Sequence, residues 1–406
     1  MKSPKEISIN DYTYALEEER IAQFPVEKRD HSKLLIAKQN ELQEDQFYNI
    51  ADHLPKDSLI VFNDTKVIRA RLRFRKPTGA KIEIFILEPV SPTAEVQNAF
   101  QVQKECSWKC FVGNAKKWKQ GSLELEFEFA GKTIILTANK GEAQGNAHLI
   151  HFSWTPTELN FSDILMGSGS IPLPPYMNRE TEAEDVERYQ TIYAKHQGSV
   201  AAPTAGLHFT DKVMKSLNER NIQTDYVSLH VGAGTFKPVS ADYMGEHEMH
   251  SEQVLINKET IERLRNKDYN SLIVVGTTST RSLESLYWYG VKLMKEPNAT
   301  FQINQWEPYE SDAHKQISPK QALSEVLNYM DRNKLSILQG ETQIIIAPGY
   351  KFKLVDVLIT NFHQPKSTLL LLVSAFYGDD WRKAYDYALA HEFRFLSYGD
   401  SCLFFR

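Results

Sequence analysis

The spacing of hydrophobic and polar positions changes character along the chain. From Val67 to Arg75 it has period two: Ile68, Ala70, Leu72 and Phe74 stand between Arg69, Arg71, Arg73 and Arg75. Successive side chains of a strand point to opposite faces, so this stretch predicts a strand with one basic and one apolar face. "KPTGAK" supplies a turn, and "IEIFILE" then alternates again through Ile82, Ile84 and Ile86, which predicts a hairpin. Further short strands are predicted at "WKCFV" and "SLELEFEFAGKTIILTA", with a turn at Gly131. Strands at this spacing predict a small closed barrel or sandwich over residues 67–155.

Elsewhere the pattern becomes buried strands alternating with amphipathic helices. The strand candidates are "SLIVF" (Ser58 to Phe62), "DYVSLHV" (Asp225 to Val231), "SLIVV" (Ser271 to Val275), "TQIII" (Thr342 to Ile346) and "KLVDVLI" (Lys353 to Ile359). A helix is predicted after Thr210, where Val213, Met214 and Leu217 share a face. Another follows Ser318, where Ser318-Pro319-Lys320-Gln321 is a capping box with proline in the first position. Trp381, Ala384, Tyr385, Ala388 and Leu389 keep the 3.6-residue period. The predicted fold is a larger α/β (mixed α+β) domain, residues 1–66 and 156–406, with a small all-β barrel domain, residues 67–155, inserted into it.

With 406 residues, 42% hydrophobic and 24% charged, the chain can bury a substantial core. Its longest apolar run, "LLLLV" from Leu369, falls far short of the ~20 residues that cross a bilayer, and no signal peptide is read at the N-terminus. The three cysteines form no CxxC pair and suit a reducing compartment, so a cytoplasmic location without membrane contact is expected. A net charge of −5 excludes a globally basic nucleic-acid binder; phosphate contact must come from a local patch.

Dense polar and glycine-rich stretches fall at the ends of the predicted strands, where open α/β sheets place their sites. "GAGTF" holds Gly232 and Gly234 but lacks the third glycine and the helix of a dinucleotide fingerprint, which leaves a tight turn as the plainer reading. "VVGTTSTR" leads from a strand into a helix, so its free N–H groups could receive a carboxylate or phosphate together with Arg281. The plainer alternative makes Thr278 or Ser279 an N-cap. "EHEMH", Glu246 to His250, lacks the histidine spacing of a zinc helix and reads as a solvated acidic segment. His208, His230 and His363 lie inside polar stretches, where each is structural or catalytic. No GxSxG elbow supports a serine triad. The arginine row itself could be a solvated strand face.

In order, "ERIAQFPVEKRDHSKLL", "LIVFNDTKVIRARL", "IPLPPYMNRE", "RYQTIYAKHQGSVAAPTAGLHFT", "SLHVGAGTFKPV", "MHSE", "VGTTSTRSLES", "PGYKFKLVDVLITNFHQPKSTLLLLVSAF", "AYDYAL" and "FRFLSYGD" resemble the S-adenosylmethionine:tRNA ribosyltransferase-isomerases of queuosine biosynthesis. The resemblance runs from near residue 19 to near residue 400. It implies a monomeric enzyme with a β-barrel inserted in an α/β domain. Such an enzyme moves the ribosyl moiety of S-adenosylmethionine, its co-substrate, onto the aminomethyl group of 7-aminomethyl-7-deazaguanine at the tRNA wobble position. The moiety is isomerised to give epoxyqueuosine, adenine and methionine leave, and no metal is called for.

That chemistry needs a base for the hydrogens beside the sulfonium and an acid for adenine departure. His208, His363, Asp64 and Asp400 are the candidate proton carriers. Arg281, Thr278 and Ser279, with Gly232 and Gly234, are candidates for holding S-adenosylmethionine. Arg188, Tyr189 and Gln190 of "RYQT" are candidate substrate contacts. Arg71, and with it Arg69, is placed towards the cleft, while Arg73, Arg75, Lys116 and Lys117, aided by Lys119, are placed on the tRNA backbone. The chain departs from the family at "QPKST", where Gln364 replaces a leucine, at "IIIAPGY", at "GNAKKWKQG", and in an extra segment near 290–335. A paralogue with another acceptor, an S-adenosylmethionine-dependent methyltransferase and a non-catalytic RNA-binding protein are the alternatives.

Overall fold

Five consecutive apolar or amide residues, Leu59–Asn63, are buried on both sides, and they form the centre of a large mixed sheet. The structure is a computed structural model that describes residues 3–39, 41–232, 239, 241–310 and 317–406. Among these, ten strands pair in the order Gln302–Ile303, Ile337–Thr342, Glu252–Asn257, Gln223–His230, Leu59–Asn63, Leu272–Val275, Val357–Asn361, Ser401–Phe405, Lys33–Lys38 and Glu41–Gln46. The four middle strands are parallel. They therefore end on one edge, at His230, Asn63, Val275 and Asn361. Alternate residues feed two separate cores: Leu59, Val61, Leu272 and Val274 join one, while Ile60, Phe62, Ile273 and Val275 join the other. Burial on both faces is why these strands read as continuous apolar runs.

The helices predicted after Thr210 and Ser318 are found. Thr210 accepts a hydrogen bond from the Val213 N–H ahead of Asp211–Glu219, and Ser318 and Gln321 close a full capping box at Pro319–Arg332. Trp381–Ala390 buries Trp381, Ala384, Tyr385 and Ala388.

Two strand predictions shift. "TQIII" is irregular and the strand lies before it, at Ile337–Thr342; Ile344, Ile345 and Ile346 are nonetheless buried. "KLVDVLI" becomes strand only at Val357–Asn361. The reason is Glu284, a carboxylate buried on the helix Thr277–Lys295, which accepts from the N–H groups of Lys353, Leu354 and Val355 at 3.0 to 3.3 Å. The Tyr350 hydroxyl adds a bond of 2.6 Å. Those N–H groups are therefore unavailable to a sheet.

A second, antiparallel sheet takes in Gly169–Ser170, Arg71–Arg75, Lys81–Ser91, Glu105–Gly113, Ala147–Thr155, Lys132–Gln144 and Leu123–Phe129, in that order. Its apolar side chains gather on one face, around Phe74, Ile84, Trp108 and Leu136. The sheet is curled but its terminal strands do not pair. The helix Phe161–Ser168 sits there: a side chain at Gly167 would meet Phe127 at 2.5 Å, and the chain then continues into Gly169–Ser170 beside Arg71–Arg75. Phe161, Ile164 and Leu165 from this helix, and Val96, Ala99 and Phe100 from another, share the sheet's core. Helices thus complete a core that the expected all-β barrel would have closed with strands alone.

The predicted Val67 to Arg75 strand is two strands. Thr65–Val67 pairs in parallel with His196–Ser199 as a separate ribbon, Ile68 to Ala70 form a break, and Arg71–Arg75 joins the curled sheet. Inside and outside nevertheless alternate from Ile68 to Arg75.

Removing the Glu284 carboxylate strands four buried donors. Glu284→Ala is predicted to lower stability by roughly 2–4 kcal/mol in urea unfolding. A change below about 0.5 kcal/mol would contradict the clasp.

Candidate functional site

The shared edge of the four parallel strands opens into a cleft of about 470 Å³. Three of the four strand ends contribute part of the wall: Val231 and Gly232 after one, Gly276 to Thr278 after another, Thr360 to Gln364 at the third. Asn63 ends the fourth and ties the edge together. Its Oδ1 accepts from the N–H groups of Thr65 and Leu229, and its Nδ2 donates to the Leu229 carbonyl, with Thr278 Oγ1 at 3.4 Å. Ala202 to Ala205 and the segment Glu246 to His250 supply the remaining sides.

Arg281 is the guanidinium of this wall and is 7% exposed. Nε donates to the Ile344 carbonyl at 3.1 Å and Nη1 pairs with Glu252. Nη2 is buried without a protein partner. An unmade hydrogen bond on a buried charged donor costs on the order of 1–3 kcal/mol, which a ligand acceptor would recover. Asn361 presents the complementary gap, a buried Oδ1 with no donor.

The helix Thr277–Lys295 begins at this point. Gly276 takes φ +88°, a conformation that residues with a Cβ rarely adopt, and no side chain caps the first turn. Neither Thr278 nor Ser279 is therefore the N-cap. Ser279 turns its hydroxyl back to the Val275 carbonyl at 2.7 Å and does not line the cleft, whereas Thr278 does. The uncapped N–H groups and the helix dipole make this end attractive to an anion.

His363 also lines the cleft. Its Nε2 lies 2.9 Å from Thr360 Oγ1, its backbone N–H donates to the Tyr385 hydroxyl, and its carbonyl accepts from Tyr14. Burial holds its pKa down to about 3, so the ring is neutral. Tyr189 lines the cleft as well, its ring edge-on to Tyr398. Gln364, the departure from the family loop, adds an amide to the same wall.

The other candidate proton carriers lie outside the lining. His208 sits behind Asn361: its Nε2 is 3.2 Å from Asn361 Nδ2 and its Nδ1 is 2.8 Å from Ser32 Oγ. Burial, then the Arg394 charge, holds its pKa down to about 3. Asp400 accepts from the backbone N–H groups of Lys33 and Arg394 at 2.9 and 2.7 Å. Asp64 accepts from the Ser228 hydroxyl, with His196 Nε2 at 3.7 Å, and burial raises its pKa. His230, the third histidine, is packed between Thr65 and Gln97.

Gln190 spends both ends of its amide on the backbone of Val67, and Arg188 donates to the carbonyls of Val26 and Glu27. Arg71 lies 3.6 Å from Glu83 and over the Phe85 ring, and it does not reach the cleft. Arg73 is paired with Glu83 and Glu180. Arg75 makes no ion pair among the described residues. It stands by the hairpin tip where Lys76 Nζ donates to the Lys117 carbonyl, next to Lys116. Gly234 lies outside the described residues.

"EHEMH" is exposed at Glu246, Glu248 and His250, as the solvated reading has it, and it also borders the cleft. Glu246, His247, Glu248 and His250 line the cleft, joined by Glu252. Gln305, from the extra segment, accepts from the Met249 N–H at 2.9 Å and donates to the His247 carbonyl at 2.7 Å, which pins this wall in place. The signal was non-local, since Gln305 and His247 are 58 positions apart. Among the described residues no group of three or more histidine, cysteine or acidic side chains is set to hold a metal, and no helix is long and apolar enough to cross a membrane.

A family model described as "Queuosine biosynthesis protein" matches residues 9–404. A protein of Francisella philomiragia named S-adenosylmethionine:tRNA ribosyltransferase-isomerase is 37% identical over 401 residues, 98% of this chain and 99% of its own length. One of the same name from Halothermothrix orenii is 36% identical, over 98% and 99% of the two chains. A crystal structure of an S-adenosylmethionine tRNA ribosyltransferase from Thermotoga maritima matches with 27% identity, 97% and 99% coverage and a TM-score of 0.45.

His208 binds protons at about 3 when folded and about 6.5 when unfolded, so below pH ~6.5 the unfolded chain takes up protons that the folded chain refuses. The stability it supports is full above that pH and is lost as pH falls toward 3. His208→Gln is predicted to shrink, by about 2 kcal/mol, the stability lost between pH 7.5 and 5. An identical loss in variant and wild type would show that the buried ring is not held neutral.

Proposed function

The chain belongs to the queuosine biosynthesis family of S-adenosylmethionine:tRNA ribosyltransferase-isomerases, and from that premise we propose how its cleft carries out the reaction. The enzyme transfers and isomerises the ribosyl moiety of S-adenosylmethionine onto the aminomethyl group of the 7-deazaguanine at the wobble position of tRNA. Epoxyqueuosine forms, and adenine and methionine are released. The observation that carries the assignment of the cleft is the buried, unpartnered Nη2 of Arg281 beside an uncapped helix N-terminus.

S-adenosylmethionine carries one carboxylate and two cationic groups, the ammonium and the sulfonium. The carboxylate docks on Arg281 Nη2 and the N–H groups of Thr277 and Thr278, where charge-assisted hydrogen bonds are strongest. The cationic groups face the acidic side formed by Glu246 and Glu248, Glu252 being paired with Arg281. The sulfonium acidifies the 5′ hydrogens, and His363 is assigned the proton because it is the cleft-facing member of the four candidate carriers. His208, Asp64 and Asp400 act as positioning groups: His208 through Asn361, Asp64 through Ser228, Asp400 through the backbone of Lys33 and Arg394.

The curled sheet, proposed as an inserted barrel-like domain over residues 67–155, holds the RNA. Arg75, Lys76, Lys81, Lys116 and Lys117 have no acidic partner among the described residues and crowd one end of it, a disposition suited to phosphates. Arg73 is removed from that set by Glu83 and Glu180.

The test is to incubate the protein with S-adenosylmethionine and tRNA bearing the aminomethyl precursor, then seek epoxyqueuosine in the nucleoside digest and free adenine in solution. Arg281→Met is predicted to raise KM for S-adenosylmethionine by ~10-fold or more, and His363→Ala to cut kcat by ~100-fold with little change in that KM. Normal turnover in the His363 variant would remove it from proton transfer.

A further inference from the structure

A second cleft, of about 440 Å³, opens beside the Thr65–Val67 strand and shares no lining residue with the first. Its size lies within the ~300–1,000 Å³ of ordinary ligand sites. The surface is aliphatic: Leu165, Met166, Ile171, Val186 and Ile192 line it. Met166, Val186 and Ile192 are 51%, 37% and 42% exposed, so water meets an apolar patch that a ligand would cover.

The rim is basic. Arg29, Lys66 and Arg69 line the cleft against one carboxylate, Glu187, although the chain as a whole is acidic. None of the three cations has an ion pair among the described residues. Arg29 donates to the carbonyls of Gln190 and Glu187, and Arg69 to that of Met166. Arg188, next to Arg29, likewise finds only carbonyls. Burial and this neighbouring cation both lower the Arg29 pKa, and Glu187 offsets them only in part.

We propose that this second cleft receives one nucleotide of the tRNA anticodon loop flanking the reacting base, with its base among Met166, Val186 and Ile192 and its phosphate on Lys66 and Arg69. The inference rests on the RNA being the substrate. A splayed nucleotide pairs a flat, weakly polar ring with an anion, and apolar side chains hold such rings in other enzymes that draw bases out of a stack. The geometry also links the two clefts. Gln190 clamps Val67, which lines the second, while its neighbour Tyr189 lines the first. Occupation of one therefore bears on the strand that borders the other.

Lys66 and Ile192 are surface side chains, so Lys66→Gln and Ile192→Asp can be made without disturbing the core, as thermal melting will verify. Steady-state kinetics with precursor tRNA are expected to show KM for tRNA raised by roughly 10-fold in each, the loss of one base or phosphate contact. The salt dependence of that KM should flatten in Lys66→Gln, while kcat at saturating tRNA and S-adenosylmethionine affinity by calorimetry stay within about twofold. Unchanged KM in both variants overturns the proposal, and so does a rise in Lys66→Gln alone, which would leave a phosphate contact without a base pocket. Wild-type enzyme that makes no epoxyqueuosine would overturn the functional reading instead.

Discussion

One buried amide sets the geometry on which the site depends. Asn63 closes the central strand Leu59–Asn63 and bonds across to both backbone groups of Leu229, with Thr278 within reach on the helix beyond. Inside a sheet buried on both faces, such an amide must satisfy its donor and acceptor groups locally, and it does so by fixing three chain segments at one edge. The cleft follows from that edge. Parallel strands that share a register end together, and the loops leaving them supply Gly232, Gly276, Asn361 and His363 to a single concavity.

Buried carboxylates do the corresponding work on the irregular segments. Glu284 gathers the N–H groups of Lys353, Leu354 and Val355, Asp400 those of Lys33 and Arg394, and Asp185 binds Arg179 through two bonds of 2.7 Å. Glu284 holds a loop that has no ladder of its own, and Asp400 ties the loop at Arg394 to the start of the strand Lys33–Lys38. This division of labour explains why a polar, motif-like residue need not be catalytic. Asp400 and His208 are as buried as the residues of the cleft, yet Asp400 is directed to the backbone and His208 to Ser32 and to Asn361 of the cleft wall.

Much of the fold was legible in the sequence because its signals are local. Alternation located Arg71–Arg75 and Lys81–Ser91, a capping box located Pro319–Arg332, and apolar runs located the central strands. What escaped depends on distant partners. The loss of the start of the "KLVDVLI" strand depends on Glu284, 69 to 71 positions away, and the gap in the curled sheet is filled by a helix that only the folded chain brings to it. For the site, Arg281, Thr278, Gly232 and His363 were identified from strand-end motifs and meet at the cleft. The position of the exposed segment Glu246 to His250 beside the cleft was not, because Gln305, which fixes it there, is distant in sequence. Arg73 shows the converse: basic in the sequence, it is neutralised by Glu83 and by Glu180 from a remote segment.

The central claim is that the strand-end cleft holds S-adenosylmethionine with its carboxylate on Arg281. A crystal structure of the enzyme with S-adenosylmethionine tests this most directly. The account predicts a carboxylate oxygen about 3 Å from Arg281 Nη2, at the N-terminus of the Thr277–Lys295 helix. Ligand density elsewhere, with Nη2 still unpartnered, would contradict it.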